Sequence, residues 1–583
     1  MAERATISRY LILTIVLSCC VYLLGNGAVS LWDRDEPRYA QTSRQMVETG
    51  DWILPMFLDE PRLKKPILIY WLQAASMNLF GDRAAEDDPL KEEFPRKYGS
   101  DDFAARFPSA VGMTIVLILI ALVTWNFAGP RRAFWTTFIF ATSAMTIVSA
   151  KMCLTDAVLL VFVLGSQLCL YAVWHGYRKW WIFAAWGVLI GLAGLTKGPV
   201  VLAILGATAV AMWVMRRFAE GRATDVPSGE APEFKSKIES RKSKIVALGR
   251  IALVISCASA ILLPWLLAIE RRIPGYTWNT IKTEVLDRAA KAQEGHTGPP
   301  GYYLLTIWGT YFPWSLLLPL ALVYAWRHRR IPQIQFALAA VVGPWIVMEI
   351  VKTKLPHYLL PVYPFLAFLT ADALVRCVRK RTGDLHDRPW EIATLCWAIL
   401  VTLLGIAPWI SIFFYPIESG WTILGLFLMT ATAVACGFAT HRFFKHHQIE
   451  RAARSMGIGF IAFVACAYVV YLPSARFLHL GEDVGYRLRL YAADAKSTPL
   501  MVDFKEPSLA FYAGGKIREA DEGFWLTRPP DQWPAWLVTT RDVWLRQPAE
   551  FRDRWSVIDS LRGVAYADGG RDVVVMILRK RRD

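Results

Sequence analysis

The chain has 583 residues, 55% of them hydrophobic and 20% charged, with a mean hydropathy of +0.32. Apolar stretches long enough to cross a bilayer recur along it, which excludes a cytosolic enzyme, a disordered protein and a disulfide scaffold. The formal net charge of +16 is spread over loops, as the positive-inside rule produces, so it implies no nucleic-acid partner.

A span needs about 20 apolar residues. Thirteen stretches qualify: 9–31, 104–127, 132–150, 154–174, 180–197, 198–215, 248–269, 303–326, 333–351, 357–378, 390–412, 421–441 and 455–473. No small-residue cleavage site precedes WDRDEPRY, so the first stretch reads as a retained span and not as a signal peptide. With a cytoplasmic N terminus, six alternate loops are basic: Arg131/Arg132, Arg178/Lys179, the 216–250 linker, Arg327/Arg329/Arg330, Arg376 to Arg388, and Arg442 to Arg454. The segments 32–103 and 270–302 then face outward, with the tail beyond 475. The tail runs PLMVDF, AWLVTT and DVVVMILRK are β-type, so 476–583 reads as a small α/β domain. The expected fold is an all-α polytopic membrane domain over 1–475 carrying that extracytoplasmic domain. Residues 82–103 read as a solvated, charged insertion.

The outward loops hold the polar residues. Directly after the first span come Asp33-Arg34-Asp35-Glu36-Pro37-Arg38-Tyr39, then helix formers, then Asp51-Trp52 and Arg62-Leu63-Lys64-Lys65-Pro66. ILIYWLQAASMNLF follows; it is too short to span and reads as an interfacial amphipathic helix. A carboxylate beside Arg38 and Lys65 can serve as a general base while the cations hold a phosphate; an interfacial charge cluster is the plainer alternative. Three further clusters share the outward side: Lys151 to Asp156, Gly194 to Pro199 around Lys197, and Lys352 to Tyr358. Helix capping by Asp156 and snorkelling lysines are their structural readings.

The forty-residue string from Trp32 to Trp71 resembles the first external loop of the aminoarabinose transferase family, within the bacterial membrane glycosyltransferases similar to protein O-mannosyltransferases. The pattern runs through Asp35/Glu36/Arg38/Tyr39, Arg44 and Met46, Gly50/Asp51/Trp52/Pro55, Lys65/Pro66 and Tyr70/Trp71 in order. The LTDA, LTKGP, EGHTGPPGYYL and KLPHYLLPVYP elements resemble later family segments, so the likeness covers residues 9–375 well and the rest in layout. The resemblance implies a GT-C fold that moves a sugar from a polyprenyl-phosphate carrier to an envelope acceptor, a lipid A, another glycolipid, a glycan or a protein. It implies catalytic roles for Asp35 and Glu36, and phosphate or donor binding by Arg38, Lys65, Lys354 and Tyr358. Tyr39, Asp156, Lys197, Arg288 and His296 are further candidates.

Two departures bear on metals. Lys64 stands where family members carry a glutamate that helps hold zinc, which argues against a zinc bridge to His296. Asp33 and Asp35 form a DxD-like pair able to chelate a divalent cation, so metal-dependent and metal-free transfer are both compatible with the pattern. The contrasting reading is a transporter or lipid-handling protein without chemistry. Transporters concentrate charge at the bilayer midplane and often show repeats; here charge gathers at one face and no repeat is visible.

Overall fold

The computed structural model describes residues 2–32, 34–81, 100–220, 237–287, 298–380, 388–493, 495 and 497–581. It is a helical membrane bundle with a small mixed sheet near its C-terminal end. In hydrocarbon every backbone polar group needs an internal partner, so apolar runs of this length become helices. Among the described residues eleven helices are long and apolar enough to cross a membrane. A twelfth span results if Pro130–Ala141 and Ala144–Lys151, bent by 61° against each other, count as one. The protein is a multi-pass membrane protein.

One of the thirteen expected spans, 303–326, is corrected. Residues 303–326 divide into Tyr302–Thr310, a 3-10 turn Trp314–Leu317 and Leu318–Arg327. Pro313 interrupts the run: proline has no N–H to give the helix, and the residue before it is pushed out of helical geometry. The core of the bundle is Pro356–Val378, with 89% of its apolar window buried, whereas the Ile245–Arg272 span has only 6% buried. That outer helix packs on Trp180–Lys197 through Gly187 and Gly191, where an added Cβ would meet Val254 and Ile261.

After the first span, the helix Glu36–Thr49 is followed by a short antiparallel hairpin, β1 (Met56–Phe57) and β2 (Glu60–Pro61), and then by the helix Leu68–Phe80. The last is the expected amphipathic segment. It buries Ile69, Tyr70, Gln73, Ala74 and Met77 and leaves Leu79 exposed.

The tail folds into a five-stranded sheet in the order β4-β3-β5-β7-β6. Its strands are β3 (Leu500–Val502), β4 (Arg518–Ala520), β5 (Trp536–Thr540), β6 (Trp555–Ala565) and β7 (Arg571–Lys580). β3 lies parallel to both β4 and β5, while β7 pairs antiparallel with β5 and β6. The three β-type runs of the sequence are β3, β5 and β7. β4 and β6 escaped notice because they sit at the edges, with polar residues alternating along half-exposed faces.

Candidate active site

The site begins with a buried arginine. Arg106, 1% exposed on the helix Ser100–Ala128, donates to the carbonyls of Asn26 (2.8 Å), Val29 (2.5 Å) and Ser30 (2.9 Å). It also grips Glu36 with Nε at 3.0 Å and Nη2 at 2.9 Å. Glu36 is fully buried and further accepts the backbone N–H groups of Cys153 (2.6 Å) and Trp32 (3.3 Å). Two carboxylate oxygens thus receive four donated hydrogens, and the start of the helix Glu36–Thr49 is pinned both to the bundle and to the segment ahead of Asp156.

Asp35 occupies the position before that helix but its side chain caps nothing. Its side chain is 56% exposed, with Nη2 of Arg62 at 3.5 Å. Arg62 is itself nearly buried. It donates to the Tyr70 hydroxyl at 3.2 Å and lies over the Tyr39 ring at 5.0 Å. Burial alone would weaken its charge, but Tyr70, Tyr39 and Asp35 outweigh that and hold the guanidinium above its usual range. Burial pushes the phenols of Tyr39 and Tyr70 up as well, so both are neutral hydrogen-bonding groups.

A second constellation closes the same pocket. Asp156 starts the helix Asp156–Trp174 and binds Lys197 Nζ at 2.7 Å, with His357 Nε2 at 3.8 Å. Lys197 ends its own helix, where Gly198 takes a positive φ of 67° that lets the chain turn away, and its ammonium lies 5.0 Å from the Tyr358 ring. Lys65 acts electrostatically on Asp156 and on His357, Asp35 acts on His357, and both Asp35 and Asp156 act on Tyr39. Segments around 35–39, 62–70, 156, 197 and 357–358 therefore meet in one place.

Of the sequence candidates, Asp35, Tyr39, Lys65, Asp156, Lys197 and Tyr358 come together. Lys65 and Arg38 are half-buried, Lys64 exposed. Glu36 stands next to Asp35 but has no exposed surface. Lys354 is held aside by Glu349 (3.0 Å) and the Pro299 carbonyl (3.1 Å), and Glu349 also accepts the N–H of Tyr302 (3.1 Å). Asp33, Arg288 and His296 lie outside the described residues, as does most of the 82–103 insertion. Among the described residues no group of three His, Cys, Asp or Glu side chains is arranged to hold a metal ion.

The sequence candidates omitted Arg62 and His357. Arg62 is one of three cations in PRLKKP, and only the Tyr39–Tyr70 bed, 5.5 Å between ring centroids, distinguishes it. The GDW element is a joint. Asp51 accepts the N–H groups of Ile53 (3.0 Å) and Leu54 (3.2 Å) and pairs with Arg272. Burial would raise its carboxyl, but those partners outweigh it and hold it below the usual range. Trp71 Nε1 donates to the Trp52 carbonyl at 2.7 Å, and Trp265 Nε1 to that of Ile53 at 3.1 Å.

A half-exposed carboxylate facing guanidinium, ammonium and phenol groups can take a proton from an acceptor while an anion rests on the cations. Residues 88–277 match the family model described as dolichyl-phosphate-mannose-protein mannosyltransferase. The undecaprenyl phosphate-alpha-4-amino-4-deoxy-L-arabinose arabinosyl transferase of Yersinia pestis is 28% identical over 434 residues, 72% of this chain and 70% of that protein. Its counterpart in Serratia proteamaculans is 29% identical over 383 residues, 64% of this chain and 61% of its own. The crystal structure of ArnT from Cupriavidus metallidurans bound to undecaprenyl phosphate superposes with a TM-score of 0.70 at 17% identity, covering 98% of both chains. The apo structure of that protein gives 0.66 at 18%, again over 98% of both. The fold is GT-C, and the chain is similar over most of its length to the aminoarabinose-transferase membrane glycosyltransferases.

Proposed function

We propose that this protein transfers a sugar from a polyprenyl-phosphate carrier to an envelope acceptor, at the outer face of the inner membrane. Asp35 accepts the proton of the acceptor hydroxyl as its oxygen attacks the anomeric carbon. The bond from that carbon to the carrier phosphate breaks on the opposite face, and the configuration inverts. The bonding pair leaves with the phosphate, whose growing charge meets Lys65, Arg62 and Arg38, with Lys197 and Tyr358 behind them. Arg62 is added to the clamp because it stands nearest Asp35 and is desolvated by two rings. Glu36 is the anchor that holds Asp35 in place. Lys354 acts by fixing the 299–303 segment. Tyr39 lines the pocket as a neutral phenol.

The observation that carries this reading is the half-exposed Asp35 carboxylate, 3.5 Å from the nearly buried Arg62 guanidinium. The relatives' aminoarabinose is the first sugar to test and lipid A the first acceptor. Mass spectrometry of envelope lipids and glycans from cells with the wild-type gene, without it, and with Asp35→Asn tests the reading. A sugar increment present only with the wild type supports it. An increment that survives Asp35→Asn removes Asp35 from the mechanism.

A further inference from the structure

The tail domain reaches into the segment that carries Asp35. Tyr512, 3% exposed at the end of the helix Pro507–Tyr512, donates its hydroxyl hydrogen to Asp102 Oδ1 at 2.6 Å. The Tyr512 hydroxyl oxygen in turn accepts the Leu31 N–H at 2.7 Å. Asp102 is buried one turn ahead of Arg106. Successive backbone groups are therefore held from three sides: Ser30 C=O by Arg106, Leu31 N–H by Tyr512, Trp32 N–H by Glu36. Asp35 follows three residues later.

Other contacts repeat the pattern. Tyr566 meets the Trp32 ring edge-on at 5.8 Å, and Arg44 donates to the Phe511 carbonyl at 2.7 Å while lying 4.4 Å over its ring. Arg518 pairs with Asp59 at the rim. Burial and the facing Asp102 carboxyl hold the Tyr512 phenol far above its usual range, so its single hydrogen stays available to donate.

We propose that the C-terminal domain is a positioning element of the transfer reaction, and that the Tyr512 hydroxyl is the latch that holds the Leu31–Asp35 segment against the bundle. The proposal rests on the functional reading above for its catalytic consequence, and on geometry alone for the latch. Arg106 fixes the carbonyls just ahead of this segment, but among the described residues Tyr512 is what serves the Leu31 N–H, and a buried N–H without an acceptor cannot stay where it is at no cost. Loss of the hydroxyl frees the segment and blurs the aim of Asp35, while Lys65, Arg62 and Lys197, on other elements, keep their places.

The test compares full-length wild type, Tyr512→Phe and Tyr491→Phe in lipid nanodiscs. Tyr491 donates to Asp559 within the tail domain (2.9 Å), so it controls for loss of a hydroxyl away from the latch. Three quantities are read: hydrogen exchange of the Leu31 amide, affinity for undecaprenyl phosphate, and the sugar increment formed per folded molecule. Tyr512→Phe is expected to speed Leu31 exchange and slow transfer, each on the order of tenfold, the equivalent of one buried hydrogen bond. Carrier affinity stays within about twofold of wild type, since the phosphate contacts remain. Tyr491→Phe matches wild type in all three. A purely structural role lowers the amount of folded protein and leaves turnover per folded molecule unchanged, and that result overturns the proposal, as does an unchanged Leu31 amide. If Tyr512→Phe does not accumulate, Asp102→Asn, which weakens the acceptor of the same hydroxyl, is read in its place with the same criteria. A wild type that transfers no sugar defeats the functional reading, and Leu31 protection then decides the latch by itself.

Discussion

Two adjacent carboxylates, Asp35 and Glu36, are assigned opposite tasks, and one pair of substitutions separates them. Glu36→Gln keeps the shape of the side chain but removes its charge and one acceptor oxygen. The site it leaves is fully buried, with two Arg106 N–H groups at 3.0 and 2.9 Å and the Cys153 N–H at 2.6 Å all aimed at the former carboxylate. The amide NH₂ would have to point at one of these donors, and Arg106 would keep a buried charge without its counter-ion. Breaking such a pair costs about 3–5 kcal/mol, a large share of the 5–15 kcal/mol or so that holds a typical domain together. Asp35→Asn, by contrast, alters a side chain that is 56% exposed, so its stability cost stays within about 1 kcal/mol. Thermal unfolding in detergent, followed by the loss of the monodisperse peak in size-exclusion chromatography, measures both. Glu36→Gln should unfold well below wild type, and Asp35→Asn close to it while transferring no sugar. A Glu36→Gln protein with wild-type stability and no activity would refute the reasoning and move the chemistry to Glu36.

Other outcomes follow from the same geometry. Lys65→Ala should weaken undecaprenyl phosphate binding and slow transfer roughly ten- to a hundredfold, the worth of one charge-assisted contact; Lys64→Ala, at an exposed position, should do little, and equal mild effects would reduce the pair to an interfacial charge cluster. Arg62→Lys keeps the charge but loses the planar fork seated on Tyr39 and Tyr70, so transfer should fall while protein yield holds. Asp156→Asn strands the nearly buried Lys197 and should lower thermal stability; adding Lys197→Met should restore stability without restoring transfer, and full recovery of activity would show the pair to be structural only. For topology, a cysteine at 228 in the linker should label only from the cytoplasm and one at Ser560, exposed on β6, only from outside; labelling of both from one side would invert the proposed orientation.

The helical spans and the strands β3, β5 and β7 were legible because burial leaves a plain apolar signature. The run 303–326 was read as one span because its average hydropathy hides Pro313. Ser508 read as a polar loop position suited to labelling, yet it is buried, since the bare Gly481 lets the helix Pro507–Tyr512 pack against its neighbour at close range. The first external loop was legible as an ordered motif, but the division of labour inside it was not. Which of Asp35 and Glu36 turns inward depends on Arg106, seventy residues away. Likewise Asp156, Lys197 and His357 lie on three separate elements, and no local spacing announces that they meet. Lys354 shows the converse: it sits four residues before Tyr358 in sequence, yet Glu349 draws its ammonium into a different contact.

The central claim is that Asp35 serves sugar transfer from a polyprenyl-phosphate carrier. The most direct measurement is the envelope-lipid mass spectrum of cells lacking the chromosomal gene and expressing either wild-type or Asp35→Asn protein at matched levels in the membrane. The account predicts a mass increment of one sugar residue with the wild type and none with Asp35→Asn, while the variant still binds undecaprenyl phosphate. The same increment from both proteins would contradict it.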